Sequence, residues 1–220
     1  MELIDLKIKN CFLIPLLSLF LLLFTTINSY AIQFTDNLPD SWYYEYVNYA
    51  SNKGWIAGYG NGKFGPNDTL TKAQAITIIT RALGLESTNA KGHWYQGFVE
   101  RGVLEGYVFD LSGMDEPISR YEMAKMIYFA YSFDEEPFID IDSPFLDIDD
   151  PYVNILNHYG IIAGINATNG LIFSPEGQLT RVQICTMLMR VDKLVQNNMQ
   201  ILLCLLNLIF QYLLFLFLNR

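Results

Sequence analysis

The chain has few of the residues that build reactive sites: three cysteines and two histidines in 220 residues. Cys11, Cys185 and Cys204 are widely separated, so neither a disulfide framework nor a zinc-ligand spacing can be read from them. His93 and His158 are single and far apart, which removes a histidine pair as a metal site or catalytic couple. Basic residues are scarce too. Fourteen Lys and Arg stand against 23 Asp and Glu, for a net charge of −9, whereas binding nucleic acid needs clustered cations. What the chain has in excess is apolar residues, at 51%. They are unevenly spread: 20 of the first 31 residues and 16 of the last 20 are apolar, while residues 32–200 hold 77 in 169, an ordinary globular proportion. An acidic module therefore lies between two apolar ends.

The first end reads as an export signal over residues 1–31. Lys7 and Lys9 form a basic start, Cys11 to Phe24 is an apolar run short for a membrane span, and Ser29 and Ala31 are the small residues of a cleavage site. A retained N-terminal anchor is the alternative. The other end, residues 201–218, is apolar except for Asn207 and Gln211. Three readings stand: a membrane span that gives membrane contact, a final helix packed on a partner, or a reading-frame extension.

The middle repeats three times. A Gly-x-x-x-Gly element occurs at Gly54–Gly58, Gly102–Gly106 and Gly160–Gly164, and a second element follows each: Thr71-Lys72-Ala73-Gln74, Ser119-Arg120-Tyr121-Glu122 and Thr180-Arg181-Val182-Gln183. Each copy reads as helix, stop, loop, helix. Trp42 to Asn52 follows the capping residues Asp40-Ser41, Gly54 ends that helix, the glycine-rich 58–66 is a loop, and Thr71 to Leu83 resumes the helical period.

The second element is a capping box, in which hydroxyl and Glu or Gln each bond a backbone N–H of the other end. That accounts for two positions and leaves the basic one. Lys72, Arg120 and Arg181 occupy the first helical position, where the helix dipole disfavours a cation. One reading is an anion site, a fixed cation beside open helix N–H donors. The other is an ion pair with one of the many acids.

Phe34-Thr-Asp36, Trp42, Gly54-x-x-x-Gly58, Gly62-x-Phe64-x-Pro66 and Leu70-Thr71-Lys72-Ala73-Gln74, taken in order, resemble one S-layer homology repeat. Phe145-Leu-Asp147, Gly160-x-x-x-Gly164, Phe173-x-Pro175 and Leu179-Thr180-Arg181 resemble another, and Trp94, Gly102-x-x-x-Gly106 and Ile118-Ser119-Arg120-Tyr121-Glu122 a weaker third. The expected layout is repeats at 34–86, 90–133 and 138–195. The resemblance implies a mainly α fold, three helix-loop-helix repeats in a pseudo-threefold helical bundle. It also implies non-catalytic anchoring at the cell surface, by binding pyruvylated secondary cell-wall polysaccharide of Gram-positive bacteria in grooves between repeats. Carried to this chain, Lys72, Arg120 and Arg181 meet the anion, Gly58, Gly106 and Gly164 let backbone approach sugar, and Trp42 and Trp94 supply an aromatic wall. No cofactor is implied.

Each copy departs somewhere from the pattern. Copy one has Lys for Arg and loses the guanidinium fork. In copy two Trp94 lies 8 residues before Gly102, where Trp42 lies 12 before Gly54, so a helix one turn shorter is expected. Copy three has no Trp, and Tyr152 is its nearest aromatic. Fewer than three working grooves follow, with Arg120 and Arg181 the strongest. The eight acids of Asp134–Asp150 lack EF-hand spacing and read as a solvated linker with Asp147 capping a turn. Asn166-Ala-Thr168 matches a glycosylation acceptor, of little weight in a bacterial setting. A secreted enzyme would need a carboxylate pair in a domain for which the repeats leave no room. Two alternatives stay open: a tail-anchored protein with a wall-facing repeat domain, and a truncated anchor from a secreted polysaccharide-degrading enzyme.

Overall fold

The computed structural model describes residues 33–133 and 141–218. The expected export signal and the acids 134–140 lie outside the described residues. The fold is mainly α. Among the described residues there are six helices, α1 (Tyr44–Asn52), α2 (Lys72–Ala82), α3 (Gln96–Leu104), α4 (Arg120–Ala130), α5 (Pro151–His158) and α6 (Arg181–Leu218), with one hairpin, β1 (Ile165–Ala167) and β2 (Gly170–Ile172).

Local chemistry places the helix starts. Thr71 and Ser119 make complete capping boxes with Gln74 and Glu122, and Asp150 caps α5 by accepting from the N–H groups of Tyr152 and Val153, with Pro151 in the first turn. At α6 the Gln183 side chain accepts from the Thr180 N–H at 3.0 Å. Helix α1 begins at Tyr44 rather than Trp42, because residues 38–44 form two linked turns, Ser41 N–H to Leu38 O (2.9 Å) and Tyr44 N–H to Ser41 O (3.0 Å).

The helix stops correct the repeat register. Trp55 N–H bonds Ala50 O, Tyr107 N–H bonds Gly102 O and Ile161 N–H bonds Leu156 O, each behind a glycine at positive φ: Gly54 (74°), Gly106 (80°) and Gly160 (69°). Gly106 is thus the counterpart of Gly54 and Gly160, not of Gly58 and Gly164. Gly102 lies inside α3, where an added Cβ would come within 2.5 Å of Val108. In this register Trp94 precedes its stop glycine by the same 12 residues as Trp42, and α1 and α3 are both 9 residues long. No helix is shortened. The variable part is the loop after the stop, in which copy three is long enough to close as an antiparallel hairpin, Ile165 opposite Ile172.

The copies interlock rather than stack as closed units. The first helix of each copy packs on the second helix of another: α3 on α2, α5 on α4 and α1 on α6. Asp192 of α6 fastens the last of these pairs, accepting from the Tyr49 hydroxyl and pairing with Lys53 at 3.1 Å. Just before the second helices three extended segments meet, and their backbone bonds close a ring: Ile118 N–H to Leu70 O (2.9 Å), Leu179 N–H to Ile118 O (3.0 Å) and Leu70 N–H to Leu179 O (3.0 Å). The side chains of Leu70, Ile118 and Leu179 are fully buried there, with Ile76, Ile79, Met123, Ile127 and Leu188 continuing the core. Each such side chain contributes about 1.5–3 kcal/mol by leaving water. Beyond Leu194 helix α6 leaves this core, and Met199, Ile201, Leu202 and Leu203 are exposed. Among the described residues no helix is long and apolar enough to cross a membrane.

Candidate functional site

The motif cations stand at the first turns of α2, α4 and α6, but the open N–H donors expected beside them are absent. Lys72 and Ala73 N–H bond Glu116 and Met114 O; Arg120 and Tyr121 N–H bond Gly177 and Pro175 O; Arg181 and Val182 N–H bond Asp68 and Pro66 O, all at 2.8–3.1 Å. The next N–H in α2 and in α4 goes to the Thr71 or Ser119 hydroxyl. A loop of another copy docks on each helix start and takes the donors that a ligand would have used. Only the side chains are left to bind an anion.

Those side chains follow one pattern. Arg181 Nε donates to Phe64 O at 2.8 Å and Nη2 donates to Ala57 O. Arg120 Nε donates to Phe173 O at 2.7 Å and Nη2 to Ala163 O at 3.1 Å. In the corrected register these are matching acceptors. A guanidinium has five N–H groups, so each arginine keeps three, two of them on the Nη1/Nη2 edge that suits a carboxylate. Neither forms an ion pair among the described residues. Burial lowers the pKa of both below the ordinary arginine value, from a start so high that the charge is kept.

Lys72 differs. The residue is 5% exposed, and its ammonium meets Asp110 at 2.7 Å, Ser112 O at 3.2 Å and Glu122 at 3.4 Å, three acceptors for three N–H groups. At this position the ion-pair reading describes what is built. Asp110 stands where copies one and three have Gly58 and Gly164, and the Lys72 bond, with the Ser112 N–H and hydroxyl, holds its carboxyl well below the usual range.

Around each arginine the fold assembles a groove from three copies. One, about 230 Å³, is lined by Arg120, the Ile161–Ile165 segment, Gln183, Thr186 and Arg190, with Trp42 from copy one at its edge. The other, about 160 Å³, is lined by Arg181, Ile56, Ala57, Gln74, Thr77 and Arg81, with Trp94 at its edge. Every lining residue of the smaller groove has its counterpart in the larger one. Trp42 and Trp94 are 67% and 61% exposed, although they cap no core. At the third position Phe109 replaces Ala57 and Ala163, meets Phe129 edge to face at 4.8 Å between centroids, and receives Lys125 over its ring.

Gly164 lines the larger groove and Gly58 follows Ala57 of the smaller one, but their lack of a side chain serves the loop itself. A Cβ at Gly58 would lie 2.5 Å from Lys63 O and Phe34, and one at Gly164 2.4 Å from Leu171. Above them the loops are held by carboxylates. Asp36 accepts from Phe64 and Gly65 N–H (both 2.8 Å) and Asp147 from Phe173 and Ser174 N–H (both 2.7 Å), the turn role expected for Asp147. Four groove residues escaped the sequence reading: Arg81, Arg190, Gln74 and Gln183, the two glutamines having been read only as caps. A signal existed for the arginines, since both lie nine residues after a motif cation, where copy two has Phe129.

The profile of the S-layer homology domain matches residues 33–76. The S-layer homology assignment thus holds for residues 33–76. The chain is similar to an S-layer protein of Bacillus thuringiensis subsp. finitimus and to the S-layer protein sap of Bacillus anthracis, each 26% identical over 73% of this chain and 21% of the relative. It also matches an endoglucanase of Bacillus sp. strain KSM-635, 30% identical over 49% of this chain and 12% of that protein. The chain thus spans about a fifth or less of the length of these relatives. The match to the S-layer homology domain and the likeness to S-layer proteins support a place at the cell surface and, at a coarse level, wall anchoring.

Proposed function

We propose that this chain anchors non-covalently to the cell wall by binding an anionic polysaccharide, of the pyruvylated secondary cell-wall class, in two grooves and without catalysis. The observation that carries the reading is the repeated pairing of a half-spent guanidinium with a second arginine and an exposed tryptophan: Arg120, Arg190 and Trp42 in one groove, Arg181, Arg81 and Trp94 in the other. A carboxylate would take the Nη1/Nη2 edge in a bidentate bond, and a tryptophan face packs against the C–H side of a sugar ring. Gly58 and Gly164 contribute by holding the groove floor back. Gly106, in the helix-stop position, acts only through the path of its loop. Lys72 fixes the third position closed, because its donors are spent on Asp110, Ser112 and Glu122.

Co-sedimentation of the protein with purified walls, before and after chemical removal of pyruvate, tests the reading. Binding is expected to fall after removal, and the double substitution R120Q/R190Q is expected to weaken binding to intact walls. Unchanged binding after pyruvate removal would refute the anionic-ligand reading.

A further inference from the structure

The two grooves match in position but not in how their arginines are covered. Arg181 lies between two rings, Phe64 at 4.6 Å and Tyr59 at 4.8 Å from its guanidinium carbon. Tyr59 is held there by its own hydroxyl, which donates to Asp68 at 2.8 Å. Arg181 is 6% exposed. Arg120 has one ring, Phe173 at 4.8 Å, and is only partly buried. Where copy one has Tyr59 after its glycine, copy three has Ile165, and where copy one has Asp68, copy three has Gly177. The second arginines differ as well. Arg190 is half-buried and donates to Ile161 O at 3.2 Å, whereas Arg81 is exposed and lies over the Phe98 ring at 5.4 Å.

We propose, on the basis of the groove reading above, that Tyr59 is a specificity-determining residue: it closes the Arg181 guanidinium, so that the carboxylate-bearing sugar is taken in preference by the groove of Arg120 and Arg190. The chemistry is direct. With two rings packed on it and 6% exposure, Arg181 offers an anion less of its guanidinium than Arg120 does, and the Asp68 carboxylate that pins Tyr59 adds a nearby opposing charge where copy three has Gly177. In the larger groove Arg120 lines the cavity, carries one ring and is partly exposed, and the half-buried Arg190 adds a second cation held by Ile161 O. An acidic residue of the polymer is therefore drawn to one groove, leaving the other for an adjoining residue.

The two exposed tryptophans report the grooves separately, since Trp55 is buried. In the full chain, W94F leaves Trp42 to report the Arg120 groove and W42F leaves Trp94 to report the Arg181 groove. The probe is the methyl glycoside of a 4,6-O-pyruvylated hexosamine, with the same glycoside lacking pyruvate as control. The Trp42 emission is expected to change at about tenfold lower probe concentration than that of Trp94, the factor carried by about one charge-assisted hydrogen bond. Adding Y59I is expected to move the Trp94 titration toward the Trp42 one, and the pyruvate-free glycoside to erase the gap. Coincident titrations of the two tryptophans, or a Trp94 curve unmoved by Y59I, would overturn this proposal while leaving the anionic-ligand reading in place. Silence of both tryptophans to the pyruvylated probe would overturn both.

Discussion

Arg181→Met separates the structural work of the motif arginine from its binding work. The Arg181 side chain reaches from the last helix to the first copy, spanning 117 residues to Phe64 and 124 to Ala57. Methionine keeps most of the aliphatic bulk but loses both charge-assisted bonds and strands two carbonyl oxygens in a region where the arginine was 6% exposed. At about 1.5–3 kcal/mol for each hydrogen bond to a charged group, less what the buried methionine returns, the expected loss is about 3 kcal/mol. For a chain of this size that lowers the melting temperature by roughly 6–12 °C. Arg120→Met is the internal control. It loses two bonds of the same kind, but at a partly exposed position where water replaces them, and its effect is expected to be about half as large. Thermal unfolding of the full chain followed by circular dichroism reads both. An R181M melting temperature within about 2 °C of the parent would refute the claim that this arginine ties the last copy to the first.

Three further expectations rest on the loops. Ser174 sits at φ 60°, where the matching Gly65 and Gly113 have φ 71° and 62°, so S174G is expected to stabilise by about 0.5–1 kcal/mol and raise the melting temperature by roughly 1–4 °C. A methyl at Gly58 would collide with Lys63 O and Phe34, whereas one at Gly60 meets nothing within 4 Å but is strained at φ 77°; urea titration should find G58A destabilised by about 1–3 kcal/mol through the collision and G60A by about 1–2 kcal/mol through backbone strain. For Asp36 and Asp147 burial alone raises the pKa, but the paired backbone N–H donors outweigh it and the carboxyls titrate below their ordinary value. Their stabilisation is present above the unfolded pKa of about 3.9 and is lost as pH falls through the lower folded one. Melting temperature is therefore expected to fall as the pH drops below about 4, and a D36N/D147N variant, less stable at neutral pH, should show a flatter fall.

The parts that could be read in advance are those decided over a few residues. A hydroxyl and a Glu or Gln three positions on make a capping box wherever the chain runs, and the second helices begin where Thr71, Ser119 and Thr180 mark them. Register was harder. Gly-x-x-x-Gly recurs in copy two by coincidence, since Gly102 is a packing glycine inside α3 and Gly106 is the helix stop. Only backbone dihedrals separate two glycines that are identical as letters. Arg81 and Arg190 went unnoticed because each belongs to a groove whose other walls come from distant copies.

The sequence by itself determined that the chain is mainly helical with a cation at the start of α2, α4 and α6, because hydrophobic period, caps and glycine stops act over one or two turns. It could not decide what those cations do. Each one reaches into the loop of another copy, and whether its donors meet two carbonyls, as for Arg120 and Arg181, or one carbonyl and two carboxylates that use them all, as for Lys72, depends on how the copies interlock. That interlocking is set by the burial of Leu70, Ile118 and Leu179 against one another. Hydrogen-bond partners more than a hundred residues away are fixed by that packing, and no local rule contains them.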